Sequence, residues 1–290
     1  MIIIQIRRPL LIILMFVVAI SFIITNNTKN DEELNDKIIT IQGVVKGKIE
    51  KKRYNQYKVG VFLINDYTKN KNLKIGQKVN ITGKFKSLDK MKYDDFDYGR
   101  YIKSTGYKGI VYINNYKIID KNKLYSLIGE IKFYISKTYR YLYKKNSDFI
   151  NSILLAEVEN LTEEQKEIFT RTGTSHVISI SGLHTGILCV IISFLLRGIN
   201  KLYKLLILSI FITLYCIMVG ASPSIIRSIA FVMIFYLSIF IDRKKDGISA
   251  LSLIGIILIM NNPYVIYNVS FQLSFLATLS ILIFYNKINS

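Results

Sequence analysis

Apolar residues form long runs at the start and in the second half of this chain. In the stretch between these runs, apolar and polar residues alternate. Residues 9–24, PLLIILMFVVAISFII, follow Arg7 and Arg8 and are apolar enough for a membrane-crossing helix. No small-x-small cleavage pattern follows before TNNTKNDEE, so we predict that residues 1–25 are an uncleaved transmembrane anchor rather than a signal peptide. The two arginines predict that the N-terminus is cytoplasmic.

Residues 26–122 alternate apolar and polar positions in short segments rich in Val, Ile and Tyr, which predicts strands. The predicted strands are 37–50, 54–65, 78–85 and 106–119. LKIGQKVNITGKF is typical of a tight turn that leads into a strand. Four or five short strands in a region of this size predict a small closed β-barrel, most simply of the OB type.

Residues 123–172 predict amphipathic helices. In 123–143 the apolar residues recur at helical spacing, which favours a helix that lies on the membrane surface or against a bundle. Thr162 followed by Gln165 is a capping-box pattern that opens a second, short helix.

Residues 173–290 predict a partial transmembrane domain. Its predicted spans are 175–197, 204–220, 223–241, 247–260 and 264–285. With a cytoplasmic N-terminus, every short basic loop falls inside, and the turns GASPS and NNPY fall outside with the β domain. The predicted fold class is therefore an α+β membrane protein: a polytopic α-helical bundle with a small extracytoplasmic barrel.

Charge is divided unevenly along the chain. Residues 1–150 hold 29 Lys and Arg against 13 Asp and Glu, whereas the whole chain holds 39 against 20. The barrel region is basic and interleaved with aromatic residues, as in proteins that bind single-stranded nucleic acid. The DNA-binding candidates are Lys51, Lys52, Arg53, Tyr54 and Tyr57. The alternative interpretation is a solvated basic surface or a docking module.

The segment RTGTSHVISISGLHTGIL places polar groups inside an apolar run. Its candidate residues are His176, Ser179, Ser181, Gly182 and His184. Three interpretations are open: hydrogen bonding between helices, the lining of an aqueous route for a substrate, or a Ser181–His184 nucleophile pair. The last would make the chain an intramembrane serine hydrolase, although no acidic residue is evident to orient the histidine.

Two other apolar runs carry polar residues. Arg227 lies one turn into GASPSIIRSIAF and either faces protein, water or a polyanion, or extends toward the outer surface. Gln272 and Ser274 lie in VSFQLSFLATLS, where we expect Gln272 to bond to another helix. The sequence shows no metal-ligand cluster or phosphate-binding loop, and we predict no cofactor, no metal and no catalytic residues.

Three segments in this order, TGTSHVISISGLHTGIL, GASPSIIRSIAF and NPYVIYNVSFQLSFLA, closely resemble the competence domain of ComEC-type DNA-uptake channels. FDYGRYIKSTGYKGIVY resembles the end of that family's OB-like extracytoplasmic domain. The resemblance implies a multi-pass protein of the bacterial cytoplasmic membrane that passes single-stranded DNA inward during natural transformation. It marks the polar residues above as part of the channel-forming region without giving each a role.

The resemblance also implies partners. Many family members continue into a metallo-β-lactamase-like domain, whose metal motif is absent from these residues. We therefore expect a fragment, a split gene or a degenerate copy. The expected partners are single-stranded DNA, membrane lipids, other competence proteins, a separate nuclease subunit and further copies of the chain. A non-catalytic assembly partner of that nuclease is the other open interpretation.

Overall fold

The computed structural model of this protein describes residues 9–27, 32–51, 53–69, 72–93, 96–174, 182–220, 225–226, 229–230, 233 and 246–288. The N-terminal apolar run forms helix α1, Pro9–Asn27, which has the length and composition to cross a membrane. It extends three residues beyond the predicted 9–24 run, through Thr25 and two asparagines.

Seven strands follow. They are β1 Ile38–Glu50, β2 Asn55–Val59, β3 Phe62–Asp66, β4 Gln77–Lys86, β5 Lys92–Tyr93, β6 Phe96–Asp97 and β7 Gly109–Lys121. Strands β5 and β6 form a separate two-stranded ribbon. The predicted strand 54–65 is in fact a hairpin, β2–β3, because Gly60 adopts a positive φ of 58° and turns the chain.

The other five strands close into a barrel in the order β1-β2-β3-β7-β4. Strands β3 and β7 pair in parallel, whereas the other neighbouring strands pair in antiparallel fashion. Register shifts between Val45 and Gly47 in β1, and at two points in the β4–β7 ladder, allow these long strands to bend around the barrel. The predicted OB-like barrel is confirmed.

Alternation along the strands builds the barrel core. In β4, Val79, Ile81 and Phe85 point inward and are almost completely buried. Gly109 in β7 makes room for Phe85, because a Cβ there would lie 2.1 Å from the Cε2 atom of the ring. Strand β1 contributes less regularly, and most of its residues between Ile41 and Val45 are partly exposed.

Helix α2, Tyr98–Ser104, lies between β6 and β7. Three helices follow the barrel: α3 Lys123–Tyr143, α4 Ser147–Leu155 and α5 Glu163–Arg171. The predicted capping box is confirmed, since Thr162 Oγ1 accepts from the Gln165 N–H and the Gln165 side chain accepts from the Thr162 N–H. Helix α3 has the predicted bounds. Of its apolar residues only Ile128 is buried, whereas Leu124, Leu127 and Ile131 are about half exposed.

Helix α3 is joined tightly to the barrel. The Asn122 N–H donates to the carbonyl of Gly76, which has a φ of 89° in the turn before β4. A Cβ on Gly76 would lie 2.4 Å from the Ser126 nitrogen in the first turn of α3, so only glycine fits there.

The C-terminal half contains α6 Gly182–Leu195, α7 Lys201–Val219, α8 Gly247–Asn261, a 3₁₀ helix Pro263–Tyr267 and α9 Val269–Ile288. Of these, α7 is long and apolar enough to cross a membrane, and α6, α8 and α9 contain shorter apolar stretches. Most of the predicted span 223–241 lies outside the described residues, so the complete bundle remains a prediction.

The N-terminal anchor is packed into the C-terminal half. Leu14 of α1 lies against Gly255 of α8, where a Cβ would come within 2.9 Å of the leucine Cδ1. The Ser21 hydroxyl donates to the Pro263 carbonyl at 2.7 Å, and Thr25 Oγ1 lies 2.9 Å from the Tyr267 hydroxyl. The two ends of the chain therefore form one structural unit.

Ile225, Ile226, Ile229 and Ala230 connect two hydrophobic clusters. Ile225 and Ile229 contribute to a cluster that includes Leu188 of α6 and Tyr215 of α7. Ile226 and Ala230 pack instead against the cluster formed by α1, α8 and α9. These four residues thus lie between the two halves of the membrane region.

Candidate functional site

The loop between β1 and β2 carries the predicted DNA-binding residues. Lys51 Nζ donates to the Tyr54 hydroxyl at 3.1 Å and lies 5.1 Å from the centroid of its ring. Arg53 is exposed at the tip, and Lys52 lies outside the described residues. In OB folds this loop is one of those that bind oligonucleotides.

An aromatic strip continues from this loop across the barrel surface. It consists of Tyr54, Tyr67 and Tyr112, with ring centroids 4.8 Å apart for Tyr54–Tyr67 and 5.8 Å apart for Tyr67–Tyr112. Tyr67 is 56% exposed, so part of its ring is available to a base. Tyr54 and Tyr112 are half-buried, so Tyr67 offers the largest free ring area. Aromatic rings beside basic side chains can stack bases of any sequence.

Tyr57 was wrongly predicted to contact DNA. Its side chain is fully buried in the barrel core, because position 57 of β2 faces inward while position 58 faces outward. A ring in that position packs against the core and cannot stack on a base.

The sequence contained a signal for the Tyr54–Tyr67 pair that the strand prediction missed. In the β2–β3 hairpin Asn55 pairs with Asp66, which brings the flanking Tyr54 and Tyr67 together. Tyr112 then pairs with Asn65 across the parallel β3–β7 contact. Dividing 54–65 into a hairpin would have revealed the first of these pairs, whereas the second depends on barrel closure.

An open cavity of about 340 Å³ lies near the β1–β2 loop, since Glu50 at the end of β1 and Asn55 at the start of β2 line it. Its lining residues are Lys48, Glu50, Asn55, Lys69 and Asn72. Lys48 Nζ lies 2.6 Å from the Glu50 carboxylate and 3.2 Å from Asn72 Oδ1. Both the carboxylate and the amides can orient the lysines, so this end of the barrel offers cationic donors next to the aromatic strip.

The barrel is attached to the membrane region through α2. Asn262 Nδ2 donates to the Lys103 carbonyl at 2.8 Å, and the buried Asn268 Nδ2 donates to Ser104 Oγ at 3.1 Å. The Arg100 guanidinium lies 4.5 Å from the centroid of the Tyr267 ring. These contacts hold α2 against the NNPY turn, which connects α8 to α9.

A second contact joins the barrel to the end of α7. Lys58 Nζ lies 3.8 Å from the position that a Cβ on Gly220 would occupy. Gly220 is the C-cap of α7 and the first residue of GASPS. Gly220 and the NNPY turn, both predicted to lie outside the membrane, therefore adjoin the barrel.

The polar residues of the spans are described only in part. His184 is half-buried on α6, next to the fully buried Thr185, and Gly182 begins that helix. The other candidates of this region lie outside the described residues: His176, Ser179, Ser181 and Arg227.

Gln272 has a more local partner than predicted. It is exposed at the start of α9, and its Nε2 donates to the Ile266 carbonyl at 2.6 Å, in the short 3₁₀ helix directly before its own helix. Ser274 is half-buried on the same helix. Leu188, one turn away from His184, belongs to the cluster around Tyr215. Phe271, next to Gln272, belongs to the separate cluster formed by α1, α8 and α9. The described residues therefore do not bring His184 and Gln272 into one site.

Among the described residues, no group of three or more His, Cys, Asp or Glu side chains is arranged to hold a metal ion. The two cysteines, Cys189 and Cys216, are free.

Comparison with known proteins shows what this chain is similar to. Residues 153–290 match the model of the Competence protein family. ComE operon protein 3 of Bacillus subtilis is 26% identical over 165 residues, which are 56% of this chain and 21% of that protein. An uncharacterized protein of Aquifex aeolicus is 30% identical over 125 residues, 43% of this chain and 30% of that protein.

The chain thus spans well under half the length of these two relatives. Among solved structures, an aspartyl tRNA synthetase from Entamoeba histolytica aligns with 65% of this chain and 44% of its own, at 11% identity. The TM-score of 0.23 is too low to indicate a shared fold. The family match at residues 153–290, together with the similarity to the relative from Bacillus subtilis, supports a competence domain of the ComEC type in this part of the chain.

Proposed function

We propose that this chain takes part in DNA uptake during natural transformation, as a component of a channel that carries single-stranded DNA inward across the cytoplasmic membrane. The observation that carries the proposal is the aromatic strip, in which Tyr67 is exposed and Tyr54 and Tyr112 are half-buried, flanked by Lys51 and Arg53 on a barrel that is fixed to the competence domain. The strip provides stacking, and the basic loop provides contacts to phosphates.

The two attachments of the barrel support the proposed topology. One involves Gly220 at the start of GASPS, and the other involves the NNPY turn. The charge pattern assigns both turns to the same side of the membrane as the β domain. An N-terminus in the cytoplasm, with the barrel outside, agrees with all of these contacts.

Helix α3 fits the outer membrane surface in this arrangement. Its exposed apolar stripe is formed by Leu124, Leu127, Ile131 and Tyr134. The helix packs on α4 and also contacts α7, the second long apolar helix. A helix with one apolar face that adjoins a membrane span is suited to lie in the headgroup region.

Inside the membrane, DNA phosphates need water and hydrogen-bond donors, because an unsolvated charge in hydrocarbon costs several kcal/mol. We assign that lining to Ser181, Gly182, His184 and Arg227. Arg227 lies in the segment 225–230, whose neighbouring residues pack against both halves of the membrane region. A separate nuclease subunit, other competence proteins and further copies of this chain are the proposed partners.

Replacing both Lys51 and Arg53 by glutamine tests whether the β1–β2 loop binds the phosphates of the DNA strand. We expect the affinity of the full chain, in phosphatidylcholine nanodiscs, for an oligothymidylate of about 20 nucleotides to fall roughly fivefold. The slope of log affinity against log salt concentration should become less steep by up to about 1.4, because each phosphate contact to a single strand contributes about 0.7 to that slope. Fluorescence anisotropy at several salt concentrations measures both quantities.

The charge-matched control replaces Lys117 and Lys121, which are exposed on β7 away from the β1–β2 loop. Both variants lose two charges from the same barrel, so they weaken general attraction equally. Because Lys117 and Lys121 lie away from the β1–β2 loop, the affinity of the control should stay within about twofold of the wild type. If the two variants lost the same amount of DNA affinity, the loop would contribute only the general attraction of a basic barrel for a polyanion. Absence of salt-dependent binding by the wild-type chain would contradict the proposed function.

A further inference from the structure

Helix α2 lies beside the end of the N-terminal span. The 19 residues of α1 rise about 28 Å at about 1.5 Å per residue, close to the roughly 30 Å of hydrocarbon in a bilayer. Thr25, near the end of α1, lies 2.9 Å from the Tyr267 hydroxyl, and the Arg100 guanidinium of α2 lies 4.5 Å from the centroid of the Tyr267 ring. When α1 crosses a bilayer, α2 therefore lies at the boundary between lipid tails and water.

The exposed apolar surface of α1 reaches this boundary. Phe22 and Ile23 are more than half exposed, and the centroid of the Phe22 ring lies 5.9 Å from that of Tyr267. On a membrane-crossing helix such side chains face lipid, and tyrosines near the ends of spans lie at the level of the headgroups. Lipid that covers Phe22 therefore extends to the ring against which Arg100 packs.

Helix α2 is covered on two sides and bare on a third. Gly99 approaches the barrel so closely that a Cβ there would lie 1.8 Å from the Leu88 carbonyl oxygen. Arg100 and Ser104 face the 3₁₀ helix and the start of α9. Tyr101, between them, stays 42% exposed.

The bare side of α2 belongs to a cluster of three aromatic rings. The Tyr101 centroid lies 5.9 Å from that of Phe96 on β6 and 6.2 Å from that of Tyr98, which is half-buried. Phe96 is 53% exposed. Rings that combine a large apolar face with a polar tip favour the membrane–water interface, and an exposed phenylalanine gains from leaving water.

The charge of this segment distinguishes a lipid surface from a DNA strand as its partner. Residues 92–103 balance three bases against three acids: Lys92, Arg100 and Lys103 against Asp94, Asp95 and Asp97. Arg100 Nε also lies 3.8 Å from the Asp97 carboxylate. A polyanion gains little from a patch without net charge, whereas the barrel as a whole is basic. Phosphatidylcholine headgroups, which are neutral overall, fit this patch.

We propose that Phe96 and Tyr101 insert into the headgroup region of the bilayer and anchor the barrel to the lipid surface beside the NNPY turn. Tyr98 supports the Tyr101 ring from behind. The inference depends on the helices that cross the membrane, and neither on the DNA-binding strip nor on the side of the membrane that carries the barrel. It adds a lipid contact to the one proposed for α3, so that the barrel rests on the bilayer at two points.

The chain contains no tryptophan, so a single introduced tryptophan reports on one position. The variants Phe96→Trp and Tyr101→Trp are made in the full chain, in phosphatidylcholine nanodiscs whose lipid is brominated near the top of the acyl chains. We expect both to be quenched at least about twofold more than Tyr67→Trp, because interfacial side chains reach about 5–10 Å into the boundary of headgroups and acyl chains. Tyr67 is the matched control, since it is 56% exposed but lies on the barrel strip.

Phe16→Trp, exposed in the middle of α1, is the reference for lipid contact and should be quenched most by lipid brominated near the end of the acyl chains. Equal quenching at positions 96, 101 and 67 would overturn the anchor and leave the proposed function standing. Quenching at positions 96 and 101 by oligothymidylate instead of brominated lipid would assign the rings to the DNA strand and would also overturn it. No quenching at position 16 would show that α1 does not cross the bilayer, and the anchor would fail with it.

Discussion

Replacing Tyr54 and Tyr67 by alanine is expected to weaken the binding of single-stranded DNA about 100-fold without unfolding the barrel. Each stacked base contributes about 1–3 kcal/mol, and a tenfold loss for each ring corresponds to about 1.4 kcal/mol. Both rings lie on the surface rather than in the core, and Tyr67 is 56% exposed. Anisotropy titrations of the full chain measure the loss, and thermal unfolding of the barrel should remain nearly unchanged.

Two comparisons make this result specific. Tyr141→Ala removes an even more exposed tyrosine, on α3, and should leave DNA affinity unchanged. Replacement by phenylalanine at both positions 54 and 67 keeps the π-faces and should preserve most of the binding. If the alanine variant binds as well as the wild type, bases do not stack on this strip, and the barrel contributes only charge.

Replacing Ser181 and His184 together by alanine is expected to lower transformation frequency at least about tenfold in a strain that carries the complete uptake system. Each lost hydrogen-bonding group leaves a polar partner in the membrane unsatisfied, at a cost of about 1–3 kcal/mol. His184 is on α6, one turn from Leu188, which packs with Ile225 and Ile229 on either side of Arg227. Helix α6 therefore lies next to Ile225 and Ile229.

The double variant should still be present in the membrane at the wild-type level, which immunoblotting of membrane fractions checks. Ser193→Ala, in the last turns of the same helix, is the matched control and should transform normally. Wild-type frequency in the Ser181, His184 variant would show that these groups serve neither as a lining nor as a nucleophile pair.

Local patterns in the sequence predicted most of the helices and the type of barrel. The amphipathic spacing of 123–143 matched α3, and Thr162 with Gln165 marked the start of α5. Both features depend on contacts within one or two turns, which the sequence displays directly. Barrel closure also followed from the number and length of the strands, although Gly60 was not recognised as a hairpin turn.

Contacts between distant elements could not be predicted. The register of β2 with β1 and β3 sets which face of β2 enters the core. As a result, Tyr57 is buried and Lys58 projects toward α7. The docking of Arg100 on Tyr267 joins residues far apart in sequence through side chains that have no distinctive local pattern. Only the folded chain brings such pairs together.

Thiol accessibility in whole cells tests the central claim that these membrane-embedded polar residues face an aqueous route. In a chain whose Cys189 and Cys216 are replaced by alanine, single cysteines at Ser181, His184 and Arg227 should react with a membrane-impermeant maleimide. A cysteine at Val190, which is 68% exposed on the apolar surface of α6, should not react. Labelling of all four positions at the same rate, or of none, would contradict the account.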